Sequence, residues 1–108
     1  MTKIALCPLA EVPADRPVRV KVDEQTAVAV FKVGASAAVT ADICPHQGAL
    51  LSDHGELDGD TVICLWHGCV FDLRTGEASD GPCSEPLEVH DCEVDEGIVY
   101  LTSEPKAQ

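Results

Sequence analysis

Cys44-Pro45-His46, seventeen further residues, then Cys64-Leu65-Trp66-His67: the reading of the whole chain turns on this stretch. Each short segment offers one thiolate and one imidazole, and two such pairs make a four-ligand metal site. Each pair falls where a strand signal runs into a turn, so two neighbouring hairpin loops can converge on one centre. Pro45 stiffens the first loop. Gly48 and Gly68, each close behind a histidine of the set, permit tight turns that aim backbone amides inward.

Mixed thiolate and imidazole ligation suits zinc as a Cys2His2 site. It suits equally a two-iron cluster with cysteines on one iron and histidines on the other. Zinc fingers group two cysteines together and two histidines together. One of each per loop is unusual for zinc and natural for an asymmetric cluster, so the spacing favours iron and leaves a zinc-stabilised interaction module as the alternative. A hydrolytic zinc centre fits poorly. No Glu adjoins a ligand as in His-Glu-x-x-His, and four strong ligands leave no position open for water.

Outward from the ligands, strand signals dominate and convincing helix signals are absent. Val18, Val20 and Val22 alternate with Arg19, Lys21 and Asp23, the period of a half-buried strand. Glu24-Gln25 turns the chain into a second strand, Ala27–Lys32, with Val28, Val30 and Val33 continuing the pattern. Gly34 ends it, and Ala37–Ala41 leads into Cys44. Residues 47–60 read as loop, closed by a hairpin signal at Asp58-Gly59. Thr61–Cys64 is the strand that delivers the second ligand pair. Val70–Asp72 follows, closed by Arg74-Thr75-Gly76, and residues 77–86 read as irregular around Gly81-Pro82 and Pro86. Leu87, Val89 and Val94 mark one further strand, which Glu96-Gly97 turns into Ile98–Thr102. The tail 103–108 is polar and expected to fray.

With no repeat and no linker, the 108 residues read as one domain, 1–108, with the cluster-binding region at about 42–84. Many short strands with regular turns predict an all-β fold, a small antiparallel β-sandwich or barrel. Hydrophobic residues make up 45% of the chain but only four are aromatic, so aliphatic side chains must fill a thin core. A bound metal centre then contributes materially to folding.

Charge and cysteine usage narrow the functional class. The net charge is −12, and residues 41–105 hold fifteen acidic side chains against the single base Arg74. Such a chain repels nucleic acid and anionic membrane surfaces, and suits a partner with a basic docking face. The N-terminal residues lack a signal-peptide hydrophobic region and no run approaches membrane-spanning length, which points to the cytoplasm. Thiols stay reduced there, so the six cysteines suggest metal ligation or buried thiols before disulfides. Cys7, Cys69, Cys83 and Cys92 read as buried reduced thiols acting as small hydrophobes. His54 reads as a solvated surface residue, and His90 as structural or exposed. Trp66 shields the centre or belongs to an apolar collar around it. No nucleophile–base pair, phosphate loop or dinucleotide fingerprint is present, so no catalytic residue is assigned and electrons must come from another protein.

At these residues the chain resembles the Rieske iron–sulfur proteins, and most of all the small soluble ferredoxins of bacterial ring-hydroxylating dioxygenase systems. The matching text is Cys44-Pro45-His46-Gln47-Gly48-Ala49 and Cys64-Leu65-Trp66-His67-Gly68-Cys69-Val70-Phe71-Asp72, followed by Thr75-Gly76 and Gly81-Pro82. Cys7-Pro8-Leu9 and the closing Ile98-Val99-Tyr100-Leu101 extend the likeness over nearly the whole chain.

The resemblance implies a Rieske-type fold with two cluster-binding hairpin loops and one [2Fe–2S] cluster. Cys44 and Cys64 would hold the inner iron, and His46 and His67 the outer iron through Nδ1. It further implies a one-electron carrier rather than an enzyme, between a flavoprotein ferredoxin reductase and a terminal oxygenase of aromatic hydrocarbon catabolism. The small subunit of an assimilatory nitrite reductase, partnered by its large subunit, is the rival within the resemblance. In the respiratory branch of the family a cysteine in each loop forms a disulfide over the cluster, and a serine and a tyrosine donate hydrogen bonds to its sulfurs. Ala49 and Leu65 stand at the first two positions here, and Cys69 and Phe71 at the second two. Fewer donors leave more electron density on sulfur, which predicts a potential near the low end of the Rieske range, roughly −150 mV.

Overall fold

The computed structural model describes residues 3–43, 50–65, 68–80 and 85–102. Eleven strands form among them: β1 (Ile4–Pro8), β2 (Val18–Lys21), β3 (Ala27–Val33), β4 (Ser36–Ala41), β5 (Gly55–Asp58), β6 (Thr61–Cys64), β7 (Cys69–Asp72), β8 (Ala78–Asp80), β9 (Val89–His90), β10 (Cys92–Asp95) and β11 (Ile98–Leu101). One turn of helix, α1 (Leu51–His54), precedes β5, and a 3-10 turn spans Leu9–Glu11. The fold is all-β, as expected.

The strands make three antiparallel sheets, ordered β1-β11-β10, β2-β3-β4-β9 and β5-β6-β7-β8. The middle sheet carries the core on both of its faces, and β3 shows why. Alternate residues of a strand point to opposite faces. Val28 and Val30 pack with Val39, Val99 and Leu101, toward the sheet that holds β11. Ala29 and Phe31 pack the other way, with Leu51, Val62, Phe71, Leu73 and Leu87. Residues 27–31 are all buried. The alternation expected for a half-buried strand is therefore replaced by burial on both sides. Ala29 is the residue that conceals this in the sequence, being too small to announce a second apolar face.

The first two sheets form a base, and β5–β8 form a lobe laid against its outer face. Asp58 pairs with Thr61, so β5 and β6 are joined at the Asp58-Gly59 turn that the sequence signals. Four local expectations change. Residues 55–58, read as loop, form β5, and the preceding turn is α1; four residues leave no room for a helical repeat to show. Residues 78–80, read as irregular, form β8, pairing Ala78 with Phe71 and Asp80 with Val70. The single strand expected through Leu87, Val89 and Val94 breaks at Asp91. Its first part, β9, pairs with β4 and its second, β10, with β11, so the chain steps there from one sheet to the other. Finally β1, which the sequence reading left unassigned, pairs with β11 with a register shift between Ala5 and Cys7.

Candidate metal centre

Of the four expected ligands, the described lobe holds Cys64. β6 runs Thr61-Val62-Ile63-Cys64 with Val62 and Cys64 inward, and β7 returns with Cys69 and Phe71 inward. Cys64 and Cys69 face each other in register. The Gly68 amide donates to the Cys64 carbonyl at 2.8 Å and closes the loop between the strands. Gly68 has φ +74°, a left-handed conformation that side-chain-bearing residues rarely adopt, in line with the turn expected behind His67.

Cys64 is fully buried, in one cluster with Leu51, Val62 and Phe71. The next residue, Leu65, is 59% exposed and is the exposed large hydrophobic residue among those described. A buried sulfur thus stands directly beside an apolar surface tip. Leu65 is held there by its amide, which donates to the His54 carbonyl at 2.8 Å. Cys44, His46 and His67, with Pro45, Gly48, Ala49, Trp66, Gly81, Pro82 and Cys83, lie outside the described residues. No group of three metal-ligating side chains occurs among the residues that are described.

Several expectations about the other residues are refined. Cys7 and Cys92 are free thiols, and burial pushes both thiol pKa values up, with Glu11 adding to the first and Asp91 to the second. Both are half-buried rather than buried, packed as apolar filler against the core of the base. Cys69 differs: it is disulfide-bonded. Disulfide pairing follows from Cα separation and Cβ direction, neither of which spacing along the chain reveals. His90 is buried at 5% exposure and so is structural rather than exposed, and His54 is half-buried in α1 rather than solvated. Phe71, at the tyrosine position of the respiratory branch, is fully buried and offers no donor.

Sequence reasoning missed one polar cluster at the site. Asp42 is 2% exposed; its Oδ1 accepts the Ser52 amide at 2.7 Å, and its Oδ2 accepts Ser52 Oγ at 2.6 Å and Arg19 Nη1 at 2.8 Å. An Asp at a strand end carries no signal of burial, and Arg19 is 23 residues away in the chain. A groove of about 310 Å³, lined in part by Ala37, Asp60, Leu73, Arg74 and His90, lies at the other end of β6 and β7 from the ligand loop.

Among the described residues, a buried thiol at the end of β6 stands beside an exposed apolar tip, an arrangement suited to an electron-transfer domain. The chain belongs to the Rieske [2Fe-2S] domain family, matching it over residues 2–91. It is 38% identical over 98 residues to the ferredoxin component of the p-cumate 2,3-dioxygenase system of Pseudomonas putida, covering 91% of this chain and 83% of that protein. The Sphingomonas yanoikuyae B1 ferredoxin superposes with a TM-score of 0.85 at 34% identity, over 95% of this chain and all of that one. A chain from the complex of reduced oxygenase and oxidized ferredoxin in carbazole 1,9a-dioxygenase superposes with a TM-score of 0.84 at 36% identity, over 98% and 97%.

The donor chemistry fits the family's cluster. Thiolates suit iron bridged by sulfide, imidazoles suit the second iron, and the described thiol, Cys64, sits in a dry apolar setting that would keep water from a metal held there. No helix among the described residues is long and apolar enough to cross a membrane.

Proposed function

We propose that this chain is a one-electron carrier of a dioxygenase system, taking electrons from a flavoprotein ferredoxin reductase and passing them to a terminal ring-hydroxylating oxygenase. The observation that carries this reading is the correspondence of whole chains: the Sphingomonas ferredoxin is matched along its full length. Cys44 and Cys64 would hold the inner iron, and His46 and His67 the outer one. Once bound, the [2Fe–2S] cluster supplies reversible one-electron chemistry. The protein's part is to bind, shield and present it. Cys64 is placed in the apolar interior, and Leu65 beside it offers a dry contact for a partner's surface. The domain limits, 1–108 with the cluster region near 42–84, belong to this reading. So does a cytoplasmic location, which suits the free thiols of Cys7 and Cys92; the bonded Cys69 is the exception.

Iron and sulfide analysis with electron paramagnetic resonance of the dithionite-reduced protein tests the proposal. Two irons and two sulfides per chain, a Rieske-type spectrum and a midpoint of roughly −150 mV are expected. One zinc per chain without colour would overturn it, and a strongly positive midpoint would refute the argument from missing sulfur donors.

The acidic surface bears on partner encounter. Steering of a chain with net charge −12 toward a basic face weakens as the Debye length falls from ~10 Å at 0.1 M salt to ~3 Å at 1 M. Stopped-flow reduction by the cognate reductase should therefore slow as salt rises. A rate that stays flat removes the charge from the docking account.

A further inference from the structure

Asp42 is the buried carboxylate among the described residues, and its surroundings are specific. A carboxylate withdrawn from water persists where hydrogen bonds and a counter-charge replace its hydration. Ser52 supplies two of those bonds and Arg19, on β2, supplies the third with its charge. Ser52 stands in the first turn of α1, whose N-cap residue, Leu50, makes no side-chain cap. Asp42 provides, from ten residues upstream, the acceptor that a capping Ser, Asp or Asn would provide locally. At the other end of α1 the His54 carbonyl accepts the Leu65 amide.

A continuous path results: Arg19, Asp42, Ser52, α1, His54, Leu65. It starts on the base sheet. It clasps the two ends of the segment that contains Cys44 and His46, and it ends between Cys64 and His67. A segment whose two ends, ten positions apart, are tied together samples far fewer arrangements than one hanging free.

We propose that Asp42 is a positioning residue for the metal centre. Its carboxylate, matched by Arg19, fixes the loop carrying Cys44 and His46 and, through α1, sets that loop's spacing from the loop carrying Cys64 and His67. The inference rests on the ligand assignment above. Metal ligation tolerates about 0.5 Å of misplacement, so a clasp common to both loops acts on the metal as well as on the fold.

The test compares Asp42→Ala, Asp42→Asn and Ser52→Ala with Val99→Ala, a destabilising control in the core of the base on the far side of β3. The readouts are bleaching of the visible absorption of the loaded protein, the resonance g-values after reduction, and hydrogen exchange of the Ser52 amide in the metal-free protein. Asp42→Ala is expected to lose its cluster about tenfold faster than the parent, with shifted g-values. Asp42→Asn, which still accepts the Ser52 amide, should fall between. Val99→Ala should melt earlier with parental g-values. The proposal is overturned if Asp42→Ala keeps parental bleaching and g-values, or if Val99→Ala reproduces both changes. Should Asp42→Ala not fold, Asp42→Asn and Ser52→Ala together decide by the same criteria. A parent protein without a Rieske-type spectrum would refute the ligand assignment instead. In that case the Ser52 amide decides alone: faster exchange in Asp42→Ala upholds the clasp, and unchanged exchange overturns it.

Discussion

Cys64→Ala protein is expected to purify colourless, without acid-labile sulfide and without a resonance signal on reduction. Cys64 is the fully buried thiol at the end of β6, and an alanine there leaves an iron site one anionic donor short. Water cannot take its place, because Leu51, Val62 and Phe71 enclose the position. The base should remain folded, since its core of Val28, Val30, Val39, Val99 and Leu101 lies on the other face of β3. Circular dichroism should then show retained β-structure with a lowered melting temperature, the difference reporting what the metal contributes to folding. Cys92→Ala is the matched control. Its thiol, at 3.5 Å from the Ala37 carbonyl, serves packing, so that variant should keep its full cluster and lose no more than about 1 kcal/mol of stability. A coloured Cys64→Ala protein with two irons per chain would remove Cys64 from the ligand set.

Gly76→Ala should be the most damaging single-methyl change in the described lobe. Gly76 has φ +83° and is buried, and a Cβ there would run into the backbone carbonyl of Leu87. That carbonyl cannot retreat easily, because the Leu87 amide donates to the Gly76 carbonyl at 2.7 Å and the Leu87 side chain is part of the core. The Gly76 amide in turn donates to the Asp72 carbonyl at 2.7 Å. Backbone strain alone costs about 1–3 kcal/mol, and displacement of Leu87 adds to it. For a domain of this size the melting temperature should fall by ~10 °C or more. Gly59→Ala supplies the comparison: φ is also positive, at +64°, but nothing lies within 4 Å of the added carbon, so its cost is the conformational strain alone. Equal melting temperatures for the two variants would show that the contact with Leu87 relaxes freely.

These two positions also mark what the sequence could and could not disclose. The ligand set is legible because its chemistry is local: a cysteine and a histidine within three or four residues, twice, with a glycine behind each histidine. The strands β2, β3 and β4 are legible because Val18, Val20, Val28, Val30 and Val39 repeat at the strand period. Gly76, by contrast, reads as an ordinary turn glycine. What constrains it is Leu87, which arrives from the far side of β8. Asp42 looks like a polar residue ending a strand until Arg19 and Ser52 close on it across the fold. β5 was hidden because Leu57 is its single large apolar residue, and the Asp91 break was hidden because apolar positions on both sides suit a strand equally. Local chemistry is written in adjacent letters, whereas packing partners are fixed only once the sheets have met.

The strand that leaves the base and the strand that re-enters it run side by side, and next to their paired residues the Ala41 amide donates to the Glu88 carbonyl at 2.8 Å. Everything between them, including every proposed ligand, leaves and returns through a single doorway in an otherwise complete base. The lobe is in that sense a cartridge. The pairing of β4 with β9, through Val39–His90 and Thr40–Val89, lies wholly outside the lobe. What a replacement cartridge must reproduce includes an apolar underside for Ala29 and Phe31, a counterpart for Arg19 and a donor for the Asp15 carbonyl, which the Leu57 amide supplies at 2.8 Å. A scaffold so arranged lets the electron's energy and its destination be rewritten while the part that folds stays as it is.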